Sequence, residues 1–163
     1  MSHIRAADKF AAEHNFRFAV KNTGHDLTGR SLAPRSLQIF THNMKGIVYV
    51  PVLVPDGFPG DVRVTTFRDA VTVQAGVQLG ELYNFCARKN VSVVGGLSRT
   101  VGAAGGYVQG GGHLLLGPWK GMASDNVLQY EVITASVSFD IVFPRKSRTD
   151  SQGRTGDCER LPE

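Results

Sequence analysis

The alternation of apolar and polar positions divides the chain into short elements. Ile4, Ala7, Phe10 and Ala11 recur at helical spacing, which predicts a helix over residues 3–14 with one buried face. Phe16 to Val20 reads as a short strand that ends in the turn cluster Lys21-Asn22-Thr23-Gly24. Ser36–Thr41 and Gly46–Val50 read as two further strands. Pro51 to Arg68 carries three prolines and two glycines and reads as a surface loop. Ala70–Ala75 alternates as a strand, and Val77–Lys89 places Leu79, Leu82, Tyr83, Phe85 and Cys86 at helical spacing. Val91–Val94 is a tight apolar strand, followed by a glycine-rich loop from Gly95 to Gly121 and a last strand over Val127–Thr134. Short strands alternating with helices predict an α+β or α/β domain, and the chain is read as α+β.

The pattern stops after Ala135. Ser138 to Glu163 has few large apolar residues and is rich in Arg, Ser, Thr, Asp and Gly. Residues 1–135 are therefore read as the folded domain, and 136–163 as a nonperiodic, disordered tail.

Composition changes this picture in one respect. The chain has 163 residues, 42% hydrophobic and 20% charged, which suits one soluble globular domain. Of its 19 glycines, eight fall between Gly95 and Gly112, so backbone there takes unusual dihedrals or meets something closely. The net charge of +4 comes from scattered residues, and no basic stripe marks a nucleic-acid face. The two cysteines, Cys86 and Cys158, do not make a disulfide framework or a zinc site. No apolar run approaches the ~20 residues that span a membrane, and the first residues do not read as a signal peptide. The expectation is a soluble, cytoplasmic chain; Asn90-Val91-Ser92 fits the glycosylation acceptor pattern, which is common by chance.

Two segments carry candidate chemistry. Lys21-Asn22-Thr23-Gly24-His25-Asp26-Leu27-Thr28-Gly29-Arg30-Ser31 directly follows a strand. Glycines around small polar residues let successive backbone N–H groups converge on an anionic oxygen, with His25 beside it. Taken alone, the same residues also suit a plain strand-to-loop turn with an exposed histidine. The second segment runs from Gly95-Gly96 through Thr100-Val101-Gly102, Gly105-Gly106-Tyr107 and Gln109-Gly110-Gly111-Gly112 to His113. Lacking Gly-Lys-Ser/Thr, it is not a P-loop, and its glycines do not fit the Rossmann fingerprint. A flexible linker would not contain Val101, Tyr107, Val108 and Leu114-Leu115-Leu116, so close approach to a flat or extended ligand accounts for it better. The histidines share no metal-ligand spacing, Ser98 is not in a hydrolase elbow, and Asp125-Asn126 suits a capping turn.

Together these residues resemble a known family. Asn22-Thr23-Gly24-His25-Asp26 with Gly29 and Ser31 forms the first block. Thr100-Val101-Gly102, Gly105-Gly106, Gln109 and Gly110-Gly111-Gly112-His113 form the second, and Asp125-Asn126-Val127 the third. In this order they are similar to the N-terminal part of a PCMH-type FAD-binding domain, the vanillyl-alcohol-oxidase type, and within it to the berberine-bridge-enzyme-like oxidoreductases. The resemblance covers most of residues 3–135. It implies that all these residues contact FAD, that both loops wrap its pyrophosphate and ribityl chain, and that His25 is joined to the flavin 8α-methyl group.

A histidyl link of that kind raises the flavin potential and favours oxidation of a small organic substrate, plausibly a secondary metabolite, with O2 taking the electrons. Ser98 stands where doubly linked members have cysteine, so one bond to the flavin is implied. Members of the family have a strand before the first helix and several hundred further residues, which supply the catalytic base and the substrate pocket, and full-length members are often secreted. They continue past residue 135 with an Asp-Gly turn, where this chain has Ser136-Val137-Ser138, a departure that suits a retained intron or frameshift. The chain is thus expected to be a truncated FAD-linked oxidoreductase. An inactive remnant or a non-enzymatic nucleotide-binding fragment is the alternative.

Overall fold

A computed structural model describes residues 2–55, 66–134 and 139–142. Helix α1, Ser2–Glu13, follows the predicted apolar spacing and buries Ala11. Strand β1, Arg17–Lys21, pairs in parallel with β2, Ser36–Phe40, in register from Arg17↔Ser36 to Lys21↔Phe40. Parallel neighbours cannot be joined by a tight hairpin. The connection over residues 22–35 is that crossover, so the first candidate loop must leave the carboxyl end of β1 and travel.

Thr41–Asn43 forms one 3-10 turn, and β3, Ile47–Leu53, then pairs antiparallel with β4, Phe67–Val73. Helix α2, Leu79–Arg88, is closed at its start by a capping box between Gln78 and Glu81. Lys45 reinforces that corner, its Nζ donating to the Glu81 carboxylate at 2.8 Å and to the Gly76 carbonyl at 2.7 Å. Two short helices follow, α3 at Gly106–Gln109 and α4 at Gly117–Lys120, then a 3-10 turn at Ala123–Asn126. Strand β5, Tyr130–Ile133, pairs antiparallel with β6, Phe139–Val142.

The core lies between α2, the β3–β4 pair and the glycine-rich segment. Val77, Leu79, Leu82, Cys86, Val91 and Ala103 are buried together, with Ile47, Tyr49, Val71 and Val73 of the sheet packed against them. Alternation along β3 turns Ile47 and Tyr49 inward and leaves Val48 exposed, as one buried face of a sheet requires.

Four boundaries differ from the sequence reading. Strand β3 continues through Pro51 to Leu53, and β4 begins at Phe67, so both ends of the expected 51–68 loop are strand. Pro51 is tolerated because no pair forms between it and Asp69, where β4 takes φ 55°, and a proline costs nothing where no ladder N–H is needed. The rest of that loop lies outside the described residues. Val91–Val94 is not a strand and has only a one-residue bridge at Val91. The Val91 N–H is taken by the Cys86 carbonyl at the end of α2, and Val91 and Val93 pack into the core beside that helix. The last strand is shorter than Val127–Thr134, because Val127 still belongs to the turn that Ser124 closes. Finally, Phe139–Val142 of the expected disordered tail is strand; Phe139 and Ile141 alternate with Ser138 and Asp140, a period the compositional reading passed over. The remainder of the tail lies outside the described residues. No helix among them is long and apolar enough to cross a membrane.

Leu82 sits at the centre of this core, 5% exposed. Truncation to Ala is expected to destabilise the domain by about 2–5 kcal/mol, whereas Val48→Ala on the exposed face should cost under about 1 kcal/mol, read as shifts in urea midpoint.

Candidate functional site: the FAD cradle

Two loops meet at Asn22, the first residue beyond β1. Its Nδ2 donates to the carbonyls of Ala75, at the turn into α2, and of Ala104, in the glycine-rich segment, the latter at 2.6 Å. The amide thus ties β1, the start of α2 and the second loop at one point. Its Oδ1 is buried and has no hydrogen-bond partner among the described residues. Room for this amide comes from two glycines: a Cβ on Gly102 would lie 2.2 Å from Asn22 Oδ1, and one on Gly105 3.1 Å from Nδ2.

Beyond Asn22 the chain turns at Gly24, at φ 90°, and presents His25 to solvent. The imidazole is not loose: Nε2 is 2.8 Å from the Thr100 hydroxyl of the other loop. Asp26 closes the next turn. Its carboxylate accepts from the Thr28 hydroxyl at 2.7 Å, from the N–H groups of Thr28, Arg30 and Ser31, and from the Arg30 guanidinium at 3.2 Å. These donors, the Thr28 hydroxyl foremost and Arg30 after it, hold the Asp26 carboxyl far below its ordinary range. Gly29, at φ 78°, and the buried Ser31 complete the turn, and Gln38 of β2 donates to the Ser31 carbonyl at 2.7 Å.

The second loop rests on two tyrosines. Tyr83 of α2 donates to the Gly96 carbonyl, and Tyr107 of α3 donates to the His113 carbonyl at 3.1 Å. Burial, and then the proximity of Tyr107, push the Tyr83 hydroxyl up to about 12, so it stays a donor. A Cβ on Gly95 would meet Tyr83, and one on Gly96 or Gly112 would meet the Tyr107 ring. Gly111 and Gly112, at φ 93° and 80°, accept from the N–H groups of Ser124 and Ala123. Several of these glycines therefore make way for the protein's own side chains. That narrows the explanation by close ligand approach, because an entropically costly glycine is also required wherever another side chain fills the Cβ position.

Open space is left at Gly106, where nothing lies within 4 Å of a Cβ. The N–H groups of Thr23, Gly24 and His25 from the first loop, and of Ala104, Gly105 and Gly106 from the second, donate to no acceptor among the described residues. Each loop thus holds a set of N–H groups with no acceptor among the described residues, the kind of donor that the oxygens of a diphosphate take.

The remaining predicted residues are placed as follows. Val101 packs against the core while its carbonyl receives the Leu79 N–H, and Gln109 is exposed on α3. Gly110 closes α3 by donating to Gly106. Asp125 caps the 3-10 turn through the Met122 N–H at 2.8 Å, and Asn126 holds the Lys120 and Met122 carbonyls, with Val127 half-buried behind them. His113 is exposed and lines a shallow apolar cavity of about 240 Å³ with Leu114, Pro118, Met122 and Asp125; none of residues 22–31 reaches it. The third block is thus brought beside the end of the second loop, and the cavity is separate from the His25–Thr100 contact. Sequence reasoning missed Tyr83 and Ala75 as supports of the loops, since neither lies in a glycine-rich motif.

The model of the FAD binding domain family matches residues 1–137. The chain belongs to that family. An FAD-linked oxidoreductase of Arthroderma benhamiae is 53% identical over 136 residues, covering 83% of this chain and 23% of the relative. Aurantioclavine synthase of Penicillium expansum is 47% identical over 138 residues, 83% of this chain and 28% of the relative. Among solved structures, the VAO-type flavoprotein MtVAO615 from Myceliophthora thermophila superposes with TM-score 0.77 at 37% identity, covering 87% of this chain and 24% of that one. A BBE-like protein of Physcomitrella patens shares the fold at TM-score 0.70 and 21% identity, covering 90% of this chain and 29% of that one. The chain spans 23–28% of the length of these two curated relatives, so it corresponds to the FAD-binding portion of FAD-linked oxidoreductases. FAD is accordingly the cofactor this domain is built for, and the open N–H groups of the two loops fit it.

Two outcomes follow from the geometry. Gly102→Ala drives a methyl group into the Asn22 amide and should both lower the thermal midpoint and abolish FAD retention, measured on the same preparation. Asp26 has a folded-state pKa depressed below its ordinary 3.8, so its contribution to stability is whole above that value and fades as pH falls toward the lowered one. Asp26→Asn should flatten the acid limb of stability against pH; an unchanged limb would contradict the role given to the carboxylate.

Proposed function

We propose that this chain is the flavin-holding part of a berberine-bridge-enzyme-like, FAD-linked oxidoreductase that oxidises a small organic substrate, with FAD attached through His25 and O2 as electron acceptor. The observation that carries this reading is the His25–Thr100 contact set against the unpaired N–H groups of both loops. Thr100 engages Nε2 and so leaves Nδ1 as the ring nitrogen without a hydrogen bond among the described residues. The ring is thereby oriented with one nitrogen available for attachment, and exposure of both side chains leaves space for a large planar group beside it.

The chain's own part in the chemistry is to bind and orient. Backbone donors of residues 23–25 and 104–106 grip the diphosphate, and Asp26 keeps the first loop folded. Bound FAD supplies the two-electron oxidation itself. The fungal relatives support an oxidoreductase, several being described as FAD-linked oxidoreductases and one, from Aspergillus ustus, as a flavin-dependent oxygenase.

The purified protein should be yellow, and the colour should stay with the pellet after acid precipitation. His25→Ala should release the flavin into the supernatant while the fold is kept. Colour that leaves the wild-type pellet would rule out the covalent link, and a protein that never takes up flavin would rule out the site.

A further inference from the structure

We propose that the Lys21 ammonium is the charge partner of the FAD diphosphate, an assignment that rests on reading the two loops as the FAD cradle. Lys21 is the last residue of β1, and its side chain folds back over the turn that follows. A Cβ on Gly24 would lie 3.0 Å from Lys21 Cε and 3.6 Å from Nζ, so the ammonium stands beside the turn formed by Thr23, Gly24 and His25. Gly24 is then required twice, once for φ 90° and once because any side chain would displace the lysine.

The neighbouring charges leave this role to Lys21. Arg30 is engaged by Asp26 at 3.2 Å, and Lys45 by Glu81 at 2.8 Å. Arg99 lies along α2, with Nε 3.2 Å from the Cβ position of Gly80. Among the described residues no carboxylate pairs with Lys21; its ammonium sits 5.2 Å from the centroid of the half-exposed Phe40 ring. A cation held only by a ring face near the surface is weakly committed and can turn to an anion. Asp26, the one carboxylate in this loop, does not oppose it, since its oxygens are already taken by Thr28, Arg30 and Ser31. Neutral N–H donors set the shape for a diphosphate, while neutralising its charge calls for an ammonium or guanidinium at the same place.

The test uses the full chain in a His25→Ala background, so that no flavin is retained through the imidazole. FAD, ADP and riboflavin are titrated against this protein with and without Lys21→Met, at low and at raised salt. Lys21→Met should weaken FAD and ADP about tenfold, leave riboflavin unaffected, and flatten the salt dependence of FAD binding. Lys21→Arg should restore both affinity and salt dependence, and it keeps the test valid if the methionine variant folds poorly. FAD and ADP affinities unchanged by Lys21→Met, with the salt dependence intact, overturn the assignment while leaving the cradle standing. A protein with Lys21 present that binds neither FAD nor ADP overturns the cradle and this assignment with it.

Discussion

The site depends on one amide. Asn22 leaves the end of a parallel strand and donates to Ala75 and Ala104, which belong to the other two walls of the domain. Each bond alone contributes only about 1 kcal/mol of net stability. Their weight lies in position, because they join segments whose contact costs chain entropy that no local interaction repays. Gly102 and Gly105 are small so that this amide fits, and the unpaired N–H groups of residues 104–106 lie directly beyond it.

Around that tie the two loops are made rigid by different means. The first folds on the Asp26 carboxylate, which satisfies donors within its own turn, so it has its shape before any ligand arrives. The second is stiffened by the short α3 turn and by Tyr107, which donates to the His113 carbonyl within the same segment, and is held from outside by Tyr83 and by residues 123–124. Preformed backbone donors cost less ordering entropy on binding than flexible side chains would. This suits a cofactor held through much of its length.

The His25–Thr100 contact is the place where the two loops meet chemically as well as mechanically. It binds the ring nitrogen that would otherwise rotate freely and defines which nitrogen remains available. Both residues are exposed, as is Gly106 of the second loop. The apolar cavity beside His113 is a separate feature, set by the Leu114–Met122 segment.

Much of this was legible in the residues. Helices α1 and α2 and strands β1 to β4 follow from local periodicity, and the order of the three glycine- and asparagine-bearing blocks identified the family, because both are written in neighbouring positions. The parallel pairing of β1 with β2, the passage of β3 through Pro51 and the loss of a strand at Val91–Val94 depend on which segment lies alongside, and no local pattern encodes that. The glycines show the division most clearly. Their number announced a crowded backbone, but only the tertiary structure decided that Gly102 makes room for Asn22 and Gly112 for Tyr107, while Gly106 faces open space. A missing Cβ records that something is close; what is close is settled by packing between residues far apart in the chain.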